Sequence, residues 1–192
     1  MKKLAALLLV GMVLGLGAGC SGGGSVDKTN TFYAYEPAKI KGMDPAFADD
    51  LYSGTEVTRV YEGLLQYHYL KRPFELIPAL AEEMPKISKD AKTFTFKLKK
   101  GVLFQDDAAF KATGGKGREV VAEDFVYSFK RLADPKLNSP MWWLFDGKIE
   151  GLNEWRDAAT KAGKTDYAAP VAGLKAVDNY TLEIKLKARS YQ

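Results

Sequence analysis

The sequence predicts an α/β domain, and three observations carry that reading. Two segments, Thr93–Lys99 and Thr181–Lys187, alternate strictly between apolar and polar side chains, which is the period of a half-buried strand. Two others, ending at Ala133 and at Gly163, place apolar residues at helical spacing. After an N-terminal leader and a Gly/Ser tract, what is left of the 192 residues is the length of one ordinary domain.

The leader occupies residues 1–20. It opens on Met1-Lys2-Lys3, continues as an apolar run from Leu4 to Leu16, and closes on Gly17-Ala18-Gly19 before Cys20. A basic start, a short apolar core and small residues at the end make a secretory signal. The run falls short of the 20 or so apolar residues that span a bilayer. Leu16-Gly17-Ala18-Gly19-Cys20 resembles a bacterial lipobox, whose cysteine is lipidated and becomes the new N-terminus. It departs from that pattern in carrying Gly17, not Leu, three places before the cysteine. Ordinary cleavage leaving a surface thiol is the alternative. Lipidation at Cys20 is favoured because no second cysteine exists to pair with it in an oxidising compartment. Residues 21–30, beginning Ser21-Gly22-Gly23-Gly24-Ser25, read as a flexible tether, and 31–192 as the folded body.

Along that body, Thr31–Tyr35 is rich in β-formers and ends before Pro37, which predicts a first strand. A loop follows through Gly42-Met43-Asp44-Pro45. Ser53-Gly54-Thr55-Glu56 has the form of a capping box, with Val57, Val60, Tyr61 and Leu64 on one face of a helix running to about Leu65. A second helix is expected across Pro78–Met84, stopped by Pro85. In the strand Thr93–Lys99, Phe94, Phe96 and Leu98 face the core. Phe110–Gly117 is glycine-rich, but Gly117 stands where a phosphate loop needs Ser or Thr after its lysine, so a hairpin or surface excursion is expected. Phe125, Phe129 and Leu132 mark a helix that stops at Ala133-Asp134-Pro135. The aromatic cluster Met141-Trp142-Trp143-Leu144-Phe145 suits a core or a ligand wall equally well. A helix over Leu152–Ala162 ends at Gly163, and Leu182, Ile184 and Leu186 point inward from the last strand. A core strand so near the last residue, with no closing element, reads as an incomplete lobe.

Composition excludes several functions. The formal charge of +4 falls to near +2 once Lys2 and Lys3 leave with the leader, too little to argue for nucleic acid or an anionic membrane surface. One histidine and one cysteine leave no zinc set and no internal disulfide. His68, in Gln66-Tyr67-His68-Tyr69, has no evident nucleophile or acid partner, so a structural role is expected. No cofactor is expected, and no enzymatic activity.

A series of motifs then stands in a telling order. Asp44-Pro45 is followed by Tyr61-Glu62-Gly63-Leu64-Leu65, by Leu76–Glu82, by Phe94–Leu98, by Lys100-Gly101-Val102 and by Phe104-Gln105-Asp106-Asp107. Ala122–Pro135 and the strand Leu174–Ile184 complete it. This order resembles the extracellular solute-binding proteins of oligopeptide and dipeptide ABC transporters, from about Thr31 to the last residue. Val121 departs from the pattern, since relatives often place a capping Thr or Ser there; losing it costs about 1 kcal/mol unless Asp124 or the loop compensates.

The resemblance implies the N-terminal part of lobe I of a two-lobed, type II periplasmic-binding fold, closing by hinge motion over an extended peptide. Backbone hydrogen bonds would then supply affinity for many sequences. Asp50, Leu51 and Tyr52 match the stretch that meets the ligand from the first lobe, and Met141 and Trp142 the wall opposite. For Asp50 a solvated carboxylate near a helix N-terminus is the competing reading. The implied partners are a peptide, the permease subunits of an importer, and a membrane through the lipid at Cys20. An exported hydrolase, a structural lipoprotein and a one-lobed remnant are the alternatives.

Overall fold

The computed structural model describes Tyr35 and residues 37–189. The leader, Cys20, the tether and Thr31–Ala34 of the expected first strand lie outside the described residues. The chain divides into two units, Met1–Pro37 and Ala38–Gln192, and every element below belongs to the second.

Its centre is a four-stranded antiparallel sheet in the order β3-β4-β6-β5, formed by Lys86–Ile87, Thr93–Lys97, Thr181–Lys185 and Leu174–Asp178. Alternation predicted β4 and β6, and the register explains why they pair. Phe96 stands opposite Leu182 and Phe94 opposite Ile184, so the apolar sides of both strands share one face. β5 and β6 form a hairpin with an irregularity between Ala176 and Asp178. Leu182 is fully buried, as are Ile149 and Leu152.

Helix α2 (Ala122–Ala133) lies against β5 and β6 and packs on α3 (Leu152–Ala162). Its buried stripe is Ala122, Val126, Lys130 and Ala133; Phe125 and Phe129 flank the core half-buried. Small residues in that stripe let the helix approach the sheet closely, and the large rings close its edges. Lys130 is nearly sequestered, and its ammonium donates to the Tyr167 carbonyl at 2.8 Å, satisfying a buried charge. At the helix start, the Asp124 carboxylate accepts from the Val121 amide at 2.8 Å and is held by the fork of Arg118. Asp124 thus supplies half of the cap that Val121 cannot.

Three expectations are corrected. Helix α1 runs over Leu51–Val60, with Asp50, not Ser53, as its N-cap. Ser53 is buried inside the first turn, where its hydroxyl accepts from the Lys41 amide at 3.0 Å. The helix ends at Val60 rather than Leu65, because Leu65–Tyr67 leaves as β1 to pair with β2 (Leu76–Pro78). The second correction concerns Pro78–Met84, which is not helical: after the end of β2 it bends, with one bridge from Ala81 to Leu98. The amides of Ala79, Leu80 and Ala81 donate to the carbonyls of Leu64 and Gly63, while the Glu82 amide donates to the Lys97 carbonyl and the Lys99 amide to the Leu80 carbonyl. Partners on both sides satisfy this backbone without a helix. Third, β6 ends at Lys185, and Leu186, half-buried, forms a bridge with Ile149. The glycine-rich stretch is the surface excursion expected, a single 3-10 turn at Lys111–Thr113.

Candidate functional site

Two segments far apart in sequence are joined beside the start of α1. The Arg131 guanidinium, on the last turn of α2, donates two bonds to the Asp44 carboxylate at 3.0 and 2.7 Å. The pairing holds the Asp44 carboxyl below its usual range and raises Arg131 further. Ser139 is buried, and its hydroxyl donates to the Ala46 carbonyl at 2.5 Å and accepts from the Met141 amide at 3.1 Å. The loop leading into Asp50, Leu51 and Tyr52 is therefore fastened to the stretch that carries Met141 and Trp142.

Asp50 organises the helix start. Its Oδ1 accepts from the amides of Tyr52 at 3.2 Å and Ser53 at 3.0 Å. Those bonds, led by Ser53, hold its carboxyl below the ordinary range. Lys41 stands 3.7 Å from Oδ2, which is buried and accepts no hydrogen bond. Leu51 projects with 76% of its surface exposed, while Tyr52 is half-buried.

On the other segment the two adjacent tryptophans diverge. Trp142 packs against the core, with the Arg156 guanidinium 5.0 Å from its ring. Trp143 is 66% exposed. Met141 is half-buried. Both tryptophans belong to the cluster that suits a core or a ligand wall, and of the two only Trp142 is implied in the site by the family resemblance; the structure packs Trp142 on the core and leaves Trp143 on the surface. The sequence reading passed over Arg131 and Ser139, whose roles emerge only from contacts across 87 and 93 positions. Among the described residues no hydrogen bond or ion pair joins the Asp50–Tyr52 set directly to Met141 or Trp142.

His68 sits in the turn between β1 and β2, where its Nδ1 accepts from the amides of Leu70 and Lys71. That is a structural role. Among the described residues no group of three His, Cys, Asp or Glu is placed to hold a metal ion, and no helix is long and apolar enough to cross a membrane.

The chain's relatives settle the family. The profile described as "Bacterial extracellular solute-binding proteins, family 5 Middle" matches residues 75–191. The chain belongs to that family. It is 33% identical over 192 residues to the oligopeptide-binding protein AmiA of Streptococcus pneumoniae, covering 97% of this chain and 26% of AmiA. With the periplasmic oligopeptide-binding protein OppA of Escherichia coli it shares 31% over 182 residues, 94% of this chain and 29% of OppA. Among solved structures, Listeria monocytogenes OppA bound to peptide superposes with a TM-score of 0.60 at 32% identity, over 81% of this chain and 26% of that one. These family 5 relatives are two-lobed binding proteins of peptide importers, and the chain has the N-terminal part of their first lobe. It spans about a quarter of their length.

Proposed function

We propose that this chain supplies part of the first-lobe wall of a peptide-capturing lipoprotein, anchored through Cys20 and serving the permease of an ABC importer. The Ser139–Ala46 and Arg131–Asp44 contacts support this reading, because they set two loop segments side by side on a rigid base. Loops mounted on rigid elements are where binding residues concentrate. On this reading Asp50, Leu51 and Tyr52 approach the ligand from one side, and Met141 and Trp142 back the other. Trp142 acts by holding the segment rather than by exposing its ring, and it is not a catalyst. The family relatives act as binding proteins, and the chain is read as a non-enzyme on the same footing.

The test is a titration of the full 192-residue chain, isotopically labelled, with a mixture of tri- and tetrapeptides, followed by amide chemical shifts. Weak, fast-exchanging shifts should gather at residues 50–52 and 141–142. Their absence at the highest soluble peptide concentration, or their clustering elsewhere, overturns the assignment. Mass spectrometry of the membrane-extracted protein tests the anchor: a diacylglyceryl group on Cys20 is expected, and an unmodified thiol refutes it.

A further inference from the structure

The turn between the aromatic segment and α3 carries the chain's one Asp-Gly pair, Asp146-Gly147, and the sequence has no Asn-Gly. Such a pair is prone to rearrange without an enzyme, because glycine lacks the side chain that keeps its amide nitrogen away from the preceding carboxyl. Here a single neighbouring side chain holds both reacting groups. The Gly147 amide donates to Asn153 Oδ1 at 2.9 Å, and Asn153 Nδ2 donates to Asp146 Oδ1 at 2.6 Å. Asn153 stands in the first turn of α3, half-buried. The backbone around the pair is fixed as well. The Asp146 amide donates to the Trp142 carbonyl at 3.1 Å, the Lys148 amide to the Phe145 carbonyl at 3.0 Å, and Gly147 takes the left-handed φ of +71° between them.

We propose that Asp146-Gly147 is a latent isoaspartate site and that Asn153 is the latch that keeps it closed. The reaction needs the Gly147 nitrogen to attack Cγ of the protonated Asp146 carboxyl. A C–N bond forms, the carboxyl hydroxyl leaves with the amide proton as water, and a cyclic succinimide remains. Water then opens that ring at either carbonyl. One opening restores aspartate; the other leaves the main chain running through Cγ, with a free α-carboxylate and no change in mass. Asn153 opposes the first step at both ends. Its oxygen holds the amide proton that must leave, and its nitrogen fixes the carboxyl group in place. Because one carboxamide makes both bonds, the nitrogen and the carboxyl must leave it before they can meet. The rearranged chain gains a backbone carbon between Phe145, which meets Phe129 of α2 edge to face, and the buried Ile149. Opening the latch therefore disturbs the packed segment that carries Met141 and Trp142, independently of any peptide.

The experiment ages three samples together in warm neutral buffer: the full chain, its Asn153→Ala variant, and a synthetic peptide of residues 142–151. Isoaspartate at position 146 is measured by electron-transfer mass spectrometry of the digests and by methyl incorporation with an isoaspartate methyltransferase. The peptide should isomerise fastest. The folded parent should be slower by about tenfold or more, as expected of a turn that must break two hydrogen bonds to react. Asn153→Ala should recover most of the peptide's rate while keeping the parent's circular dichroism. A folded variant as slow as the parent would overturn the latch, and a parent as fast as the peptide would overturn the closed state. An unchanged peptide, or isoaspartate gathering first at another aspartate of the variant, would remove the latent site. Should the variant not fold, hydrogen exchange at the Gly147 amide of the parent decides. Protection supports its bond to Asn153, and exchange as fast as in the peptide overturns it.

Discussion

Arg131 and Asp44 lie 87 positions apart and meet through two parallel hydrogen bonds, with both side chains only partly shielded from water. A planar fork on a carboxylate fixes direction as well as distance. Asp44 also accepts from the Ala46 amide at 3.0 Å, so the guanidinium orients the turn that carries Ala46 toward Ser139. One ion pair thus sets where the chain enters α1, and hence where Asp50 and Leu51 stand.

Replacing Arg131 with Met keeps much of the aliphatic stem and removes the fork. Urea denaturation should show a loss of about 1–2 kcal/mol, the lower part of the range for charge-assisted hydrogen bonds because the pair is partly hydrated. Hydrogen exchange should quicken at 44–53 while the amides of β4 and β6 keep their protection. Arg131→Lys should recover only part of the loss, since an ammonium cannot make both bonds in one plane. Full recovery by Lys would show that charge alone matters there.

Acid sensitivity follows from Asp44 and Asp134. For Asp134, burial pushes the carboxyl up, but hydrogen bonds from Thr165 and Tyr167, each at 2.7 Å, outweigh it and leave it below the usual range. Both carboxyls thus bind protons less readily folded than unfolded. The stability they contribute is complete above the unfolded value near 4 and is lost as pH falls through the lowered folded values. The urea midpoint should be flat from about pH 5 to 7 and decline below about pH 4. Asp44→Asn should start lower at neutral pH and fall less steeply in acid. A wild-type midpoint unchanged down to about pH 3 would remove the linkage.

The parts of this architecture that announce themselves in sequence are those with a repeating period. β4, β6 and α2 are long enough for Phe94, Phe96, Leu182, Ile184 and Phe125 to show on which side the core lies, and α3 is long enough to be read as a helix. β1 and β2 have three residues each, too few for a period, and their pairing is decided by backbone partners on either side. Pro78–Met84 has helix-like composition, yet the Leu64 and Lys97 carbonyls claim its amides, and tertiary bonds win over propensity. At the site, Asp50–Tyr52 was reached through family resemblance rather than through any pattern of its own. Trp142 and Trp143 are identical neighbours in sequence, and only the position of Arg156 and the core shows which one turns inward.

Asp50 and Ser53 both suit an N-cap by residue type, and their observed roles predict opposite consequences. Asp50→Ala should cost about 1 kcal/mol and fray the first turn of α1, visible as faster exchange at Tyr52 and Ser53. Asp50→Asn, which keeps an accepting oxygen, should recover most of it. Ser53→Ala should leave those amides protected but free the Lys41 amide, whose bond the Ser53 hydroxyl accepts. Fraying of α1 in Ser53→Ala and not in Asp50→Ala would reverse the assignment.

The two tryptophans give the sharpest separation of packing from surface. Trp142 contacts the core and carries the Arg156 guanidinium on its ring, and Arg156 in turn donates to the Ala133 carbonyl at 2.7 Å at the end of α2. Removing the ring with Trp142→Ala opens a void and unseats Arg156, for a loss of about 2–4 kcal/mol. Trp143→Ala, losing a mostly exposed ring, should stay within about 0.5 kcal/mol of the parent. Peptide titrations of the two variants then bear on the site. If Trp142 only supports its segment, then Trp142→Phe, which keeps a ring in place, should retain the shifts at residues 50–52 and 141. If the indole itself meets the ligand, those shifts should vanish in the Phe variant while its urea midpoint stays near that of the parent.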